Sequence, residues 1–97
     1  MALEQYYTGD TIPLKFIVTD ADGAVNPSQV KVTIHKPDGS TEAETDADSI
    51  VDNVVSHNIP GNVTDLSGVY LAYFVCTLPS NQIRTHKIQT TVVDNPE

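Results

Sequence analysis

The apolar residues of this chain recur at every second position, which is the spacing of half-buried β-strands. The clearest alternation runs through residues 11–19, where the apolar members are Ile12, Leu14, Phe16 and Val18. A second alternation begins at Val30 and ends at Ile34. No stretch of useful length repeats with the period of a helix. The pattern therefore predicts an all-β chain.

The longest apolar stretch covers residues 66–78, and its branched and aromatic side chains predict a central strand. One face of that strand carries Tyr70, Ala72, Phe74, Cys76 and Leu78. The other face carries Val69, Leu71, Tyr73 and Val75, which are also apolar. Either both faces are internal, or the second face is an interface with a partner, to which Tyr6 or Tyr7 adds an aromatic anchor.

Turn residues divide the rest of the chain into short segments. Residues 3–7 predict a short first strand, and Pro13 places the next strand at an edge or puts that residue near the strand's start. Residues 41–49 predict a short edge strand and an exposed loop, and residues 50–55 predict a further strand. Residues 56–64 read as a long connection between sheets, and residues 83–93 as the last strand. About seven strands in this arrangement predict an antiparallel β-sandwich.

The turn before the central strand resembles one found in immunoglobulin-like sandwiches. Asp65, Gly68 and Tyr70 match its "tyrosine corner", in which the tyrosine hydroxyl bonds to upstream backbone. Ala72 stands where antibody domains carry a cysteine, so their disulfide is missing. The resemblance implies a single immunoglobulin-like domain spanning residues 1–97, with flexible ends at residues 1–5 and 94–97. Met1 and the polar ending favour a complete chain.

The charge of the chain limits its partners. Thirteen acidic and five basic residues give a formal net charge of −8, which argues against binding to nucleic acid or an anionic membrane. The first residues lack the features of a secretory signal, so we expect synthesis in a cytoplasm. Cys76 is the single cysteine and is expected in the core, with no disulfide and no cysteine-based zinc site.

The sequence offers no convincing catalytic or metal-binding motif. His35 and His86 belong to different predicted strands and could be neighbours, but no third metal ligand can be placed beside them. Asp20 and Asp22 are too closely followed by a glycine turn to form a helix–loop–helix calcium site. We therefore predict that the protein is not an enzyme, has no cofactor, and has no catalytic, cofactor-binding or metal-binding residue.

Several turn motifs occur in an order that resembles a viral family. They are Gly9-Asp10-Thr11, Lys36-Pro37-Asp38-Gly39 and Gly68-Val69-Tyr70. Their order resembles the immunoglobulin-like N-terminal domain of bacteriophage baseplate upper proteins and related tailed-virus structural domains. The resemblance implies a non-enzymatic virion module in the baseplate, tail or capsid decoration, made in the host cytoplasm. It would contact other virion proteins and form a homo-oligomer or symmetric multi-copy assembly. The alternative is a carbohydrate-binding or adhesin-type module that recognises a host surface.

Overall fold

A computed structural model describes residues 6–94 of the chain. They form ten strands and no helix, so none of these residues belongs to a helix that could cross a membrane. The strands are β1 (Tyr6–Tyr7), β2 (Ile12–Ile17), β3 (Thr19–Asp20), β4 (Gly23–Ala24), β5 (Gln29–His35), β6 (Thr45–Asp46), β7 (Ser49–Val51), β8 (Val54–Ile59), β9 (Gly68–Thr77) and β10 (Ile83–Val93). The predicted first strand lies partly outside the described residues, as do the predicted flexible ends apart from Asp94.

The strands form two sheets that face each other, plus a two-stranded hairpin of β3 and β4. The larger sheet has the order β1-β10-β9-β5-β6, and the smaller has the order β2-β8-β7. The prediction of an all-β, immunoglobulin-like sandwich is confirmed. The predicted central strand is β9, which pairs antiparallel with β5 on one side and β10 on the other. Pro13 lies on β2, an edge strand, as its missing backbone donor suggested.

The core lies between the inner faces of the two sheets. Phe16 of β2 and Phe74 of β9 meet there edge to face, with ring centroids 4.7 Å apart. Cys76 is buried beside them, and the loss of water around its thiol raises its pKa. Burying each large apolar side chain of this set contributes on the order of 2 kcal/mol. The buried apolar residues are Ile12, Leu14, Phe16, Val18, Val30, Val32, Ile34, Val55, Ile59, Val63, Tyr70, Ala72, Phe74, Cys76, Leu78 and Val92.

The region between residues 49 and 67 differs from its prediction in two ways. The single strand expected at residues 50–55 is a hairpin of β7 and β8, turned at Asp52, whose φ is 55°. The long connection expected at residues 56–64 begins later than predicted, because residues up to Ile59 continue β8 and pair with β2. The chain crosses to the larger sheet between Ile59 and Gly68. Ser56 and Asn58 point outward while His57 and Ile59 point into the core. The polar residues of this strand therefore led the sequence pattern to predict a loop.

The turn before β9 is held by the side chain of Tyr70. Its one hydroxyl proton is shared between the backbone oxygens of Leu66, 2.8 Å away, and Val63, 3.3 Å away. The hydroxyl oxygen also accepts a bond from the Leu66 N–H. This is the geometry of a tyrosine corner. Gly68 has a φ of +132°, and a Cβ there would stand 2.6 Å from the Cβ of Pro37. The corner therefore packs directly on the turn that follows β5.

Candidate functional site

The outer face of β9 is open to solvent. Val69, Leu71, Tyr73 and Val75 point away from the core, and within residues 6–94 no further layer of strands covers them. Their flanks are shielded instead by the neighbouring strands: Lys87 of β10 and Thr33 of β5 stand directly beside Tyr73. Val69 remains 43% exposed. The face is thus a half-shielded apolar stripe between polar rows rather than part of the core.

The two adjacent tyrosines of β1 separate onto opposite faces. Tyr7 pairs with Val93 on the outer face and is exposed. Tyr6 pairs with Val92, which is buried, and packs against the core. Tyr7 therefore shares the outer face with the β9 stripe, and Tyr6 does not. The two residues cannot serve the same surface.

One side of β10 has the features of an open strand edge. Residues 83–92 pair with β9, but on the opposite side β1 reaches only Val92 and Val93. Within the described residues, no strand pairs with residues 83–91 on that side, which we call the β10 edge. Its backbone N–H and C=O groups that point away from β9 are a template on which another strand can pair.

The β10 edge extends beyond the edge of the smaller sheet. Residues 83–87 are exposed on both faces of the strand, because β2 ends the smaller sheet short of them. The gap is a cleft of about 160 Å³ whose lining includes Phe16, Val18 and Arg84. His86 lies flat against Phe16, with centroids 4.3 Å apart and planes 8° apart. Ile17, at the mouth of this cleft, is 63% exposed.

The hairpin of β9 and β10 is positive in an acidic chain. No acidic residue occurs between Leu66 and Val93, and this stretch carries Arg84 and Lys87. Two other cations are already paired: Lys31 with Asp46 at 2.7 Å, and Lys36 with Asp65 at 2.6 Å. Arg84 and Lys87 take part in none of the ion pairs found among residues 6–94. The β10 edge therefore carries uncompensated positive charge.

The opposite edge of the same sheet is acidic. Residues 42–48, which we call the acidic segment, contain Glu42, Glu44, Asp46 and Asp48 and include β6. The segment runs antiparallel along β5, held by backbone bonds from Glu42 to Ile34 and from Ala47 to Val30. Because β6 ends the sheet, the outer side of the segment is a second strand edge. One sheet thus ends in a positive edge and a negative edge.

The three histidines lie apart. His35 is on the outer face, where its ring meets Tyr73 edge to face at 4.9 Å, whereas His86 is on the inner side. They are separated by β9, so the suggestion that they could be neighbours is wrong. Among residues 6–94, no three side chains of His, Cys, Asp or Glu are grouped in a way that could hold a metal ion. Asp20 instead accepts the Asp22 N–H in a local turn.

His57 is buried beside a second cavity, of about 400 Å³, under the acidic segment. Its Nδ1 atom lies 3.5 Å from an oxygen of Asp48 and has no hydrogen-bond partner. The other oxygen of Asp48 accepts the Asn58 N–H at 2.7 Å. His57 therefore contributes to packing against Phe74, and the bond between Asp48 and Asn58 holds the acidic segment near β8.

Sequence reasoning singled out the β9 stripe and overlooked Arg84 and Lys87. Strand order is set by long-range pairing, so an edge cannot be read from local alternation. A usable signal was nevertheless present, because the run of 28 residues from Leu66 to Val93 contains no carboxylate although the chain carries 13. Such a gap in an acidic chain marks a segment whose charge differs from the rest.

The comparisons with known proteins show a likeness to solved structures. No family model and no curated protein matches the chain. Among solved structures, the crystal structure of CopC from Methylosinus trichosporium OB3b is similar over 99% of this chain and 89% of its own, with a TM-score of 0.65 and 17% sequence identity. At that identity the likeness shows the fold alone, an immunoglobulin-like sandwich.

This likeness contradicts the predicted function. The matching structure is not a viral structural protein, so the prediction of a virion module and of a virion location is wrong. The physical reason lies in the motifs. Asp10 accepts the Tyr7 N–H, and Asp38 accepts the Ser40 N–H, so each motif meets the needs of a local turn. Turns of this kind suit any such sandwich, whatever it does.

The geometry gives little support to the alternative of a carbohydrate-binding module. Such a module needs exposed aromatic side chains, and of the six in this chain Tyr7 alone is among the exposed large apolar residues, at 37%. Tyr73 is half-buried, and Phe16, Tyr70 and Phe74 are buried.

Proposed function

We propose that the chain is a non-catalytic binding domain that receives an extended segment of another polypeptide along the β10 edge. The observation that carries this proposal is the pairing of β10. It is the longest strand, with 11 residues, and only its last two pair with β1. An added strand would make main-chain hydrogen bonds along residues 83–91 and extend the sheet.

The cleft beside β10 supplies the side-chain contacts that strand addition needs. Alternate side chains of an added strand point to the inner side of the sheet. There they would lie over the cleft between β2 and β10, against Ile17 and the stacked pair of Phe16 and His86. Main-chain bonds give affinity in this mode, and such a pocket gives selectivity.

The charge of the edge restricts the added strand. Arg84 and Lys87 carry positive charge without an acidic neighbour on their own hairpin. An acidic extended peptide is therefore favoured over a basic one, both on encounter and in the complex. No catalytic step is needed in this function, and among residues 6–94 no side-chain grouping suggests one.

The experiment uses three synthetic ten-residue peptides that share a strand-favouring alternation of Val and Thr and differ only in charge: acidic, neutral and basic. Each is titrated into the isotope-labelled protein while backbone amide shifts are followed. We expect the acidic peptide to bind most tightly, with shifts concentrated at residues 83–91 and at Ile17. Binding of none of the peptides, or shifts confined to another surface, would overturn the proposal.

A matched pair of variants separates charge from fold. Lys87 lies on the β10 edge and Lys15 lies on the exposed side of β2, and each is replaced by Glu. Both change the net charge by the same amount. We expect Lys87→Glu to weaken binding of the acidic peptide at least tenfold and Lys15→Glu to change it little. Equal effects of the two would show that overall charge, not the edge, governs binding.

A further inference from the structure

We infer that the strand received by the β10 edge is the acidic segment of a second copy of this chain, so that copies join edge to edge and head to tail. This inference rests on the proposed function and names its partner. It requires the two edges of the larger sheet to match in direction and in charge.

The strand directions match. Along the sheet β10 runs antiparallel to β9, β9 antiparallel to β5, and β5 antiparallel to β6. In consequence β6 runs opposite to β10. A second copy moved sideways in the plane of the sheet would place its β6 antiparallel to β10 of the first, which is the more favourable pairing.

The charges match as well. The β10 edge offers Arg84 and Lys87, and the acidic segment offers four carboxylates in seven residues. Asp46 of that segment already accepts a bond from Lys31, whose pKa is raised by this contact, which shows that the segment accommodates a cation on an adjacent strand. Each copy would present one positive and one negative edge, so the contact can repeat.

Charged residues on an edge strand often prevent aggregation, and that function must be weighed here. Such protection comes from the cost of burying a charge in a paired sheet and from like-charge repulsion between edges of the same sign. Acidic residues on β10 would have supplied both in this acidic chain, whereas an acidic partner strand offsets the burial cost of Arg84 and Lys87. Instead one edge carries Arg84 and Lys87 and the opposite edge carries Glu42 and Glu44, so unlike edges of two copies attract each other.

The net charge of −8 does not prevent such contacts. At physiological ionic strength, exposed charges farther apart than about 8 Å are largely screened, so the charges at the joined edges dominate. Because the two joined surfaces differ, the contact is heterologous and generates rings or open filaments rather than closed dimers.

A charge exchange tests the inference by sedimentation velocity of the full chain at physiological ionic strength. Variant Arg84→Glu/Lys87→Glu has two negative edges. In variant Glu42→Lys/Glu44→Lys the two lysines offset Asp46 and Asp48, so the acidic segment has no net charge with which to attract the β10 edge. We expect the native chain to form concentration-dependent assemblies, each variant alone to remain monomeric, and their equimolar mixture to assemble again. Lys15→Glu, which alters neither edge, should assemble like the native chain.

The possible failures are distinguishable. A native chain that stays monomeric at all concentrations overturns the inference, as does assembly that persists in the Arg84→Glu/Lys87→Glu variant. A peptide with the sequence of residues 41–48 provides the separate check. If acidic peptides bind the β10 edge while the whole chain stays monomeric, the partner is another protein and the proposed function stands. If no peptide binds there, the proposed function itself fails.

Discussion

Three residues of the turn before β9 act together, although each does something different. Tyr70 bonds to the backbone of residues 63 and 66, which fixes the path of the chain as it crosses between the sheets. Gly68 lets that path pass against Pro37. Asp65 accepts a bond from Lys36, which neighbours Pro37. The corner and the turn after β5 are therefore one structural unit.

Removing the hydroxyl of Tyr70 should destabilise the fold. In Tyr70→Phe, the Leu66 N–H and the oxygens of Leu66 and Val63 lose a partner in a buried setting. We expect the free energy of unfolding to fall by about 1–3 kcal/mol in chemical denaturation. Tyr73→Phe is the control, since that side chain is half-exposed on the outer face, and its effect should stay within about 0.5 kcal/mol. Equal effects would mean that the corner bonds contribute nothing.

The ion pair between Asp65 and Lys36 should make stability depend on pH in the acid range. The hydrogen bond from Lys36 lowers the pKa of Asp65 below its ordinary value of 3.8. A carboxylate whose pKa is depressed by folding contributes stability above its unfolded pKa, and that stability disappears as pH falls through the folded pKa. We expect Asp65→Asn to be less stable than the native chain near neutral pH, and the difference to shrink below about pH 4.

The matched control for that measurement is Asp94→Asn at the end of β10. Its carboxylate is exposed and belongs to none of the ion pairs found among residues 6–94. Its stability difference from the native chain should stay near zero across the same pH range. A pH-independent deficit in Asp65→Asn would instead point to lost packing.

Among the strands, those with strict alternation could be predicted and those with polar inward residues could not. The strands β2 and β5 follow the alternation closely, with every buried residue apolar, and β9 could be predicted from its unbroken apolar run. In β8, the inward position between Val55 and Ile59 is His57, and its polarity hid the alternation. A histidine packed on Phe74 can occupy a core position that local pattern assigns to a loop.

The candidate site could be predicted only in part, for a different reason. Which residues share a face follows from period two, so the stripe on β9 was correctly assembled from the sequence. Which strand lies at the edge follows from the pairing of β10 with β9 and with β1, and both pairings are non-local. The uncompensated charge of Arg84 and Lys87 acquires meaning only once that edge is known.

The outer face of β9 should tolerate a charged side chain that the inner face does not. Tyr73 is half-buried and meets the ring of His35, whereas its neighbour Phe74 is fully buried. Tyr73→Glu should leave a folded protein, because its carboxylate can reach water. Phe74→Glu should unfold the domain, since it places an unpaired charge in the core. Near-ultraviolet circular dichroism distinguishes the outcomes. An unfolded Tyr73→Glu variant would show that the face is covered and belongs to the core.

The whole molecule combines a strong net charge with an uneven distribution. From Leu66 to Val93 the formal charge is +2, from Arg84 and Lys87. The other residues carry a formal charge of −10, and together the two parts give the net charge of −8. Like charges dominate within one copy and oppose its folding. Unlike charges dominate between the two edges of neighbouring copies. Salt screens both interactions, and its effects on folding and on assembly must therefore have opposite signs.

Rising salt should stabilise the single domain while it disperses the assemblies. Unfolding is followed in dilute protein, where copies are separate, and assembly is followed by sedimentation in concentrated protein. The Arg84→Glu/Lys87→Glu variant is the control: two reversals of −2 each take the net charge from −8 to −12. Its stability should rise more steeply with salt, and its sedimentation should not change. If salt instead destabilises the folded monomer, the ion pairs of Lys31 and Lys36 outweigh the repulsion among the carboxylates.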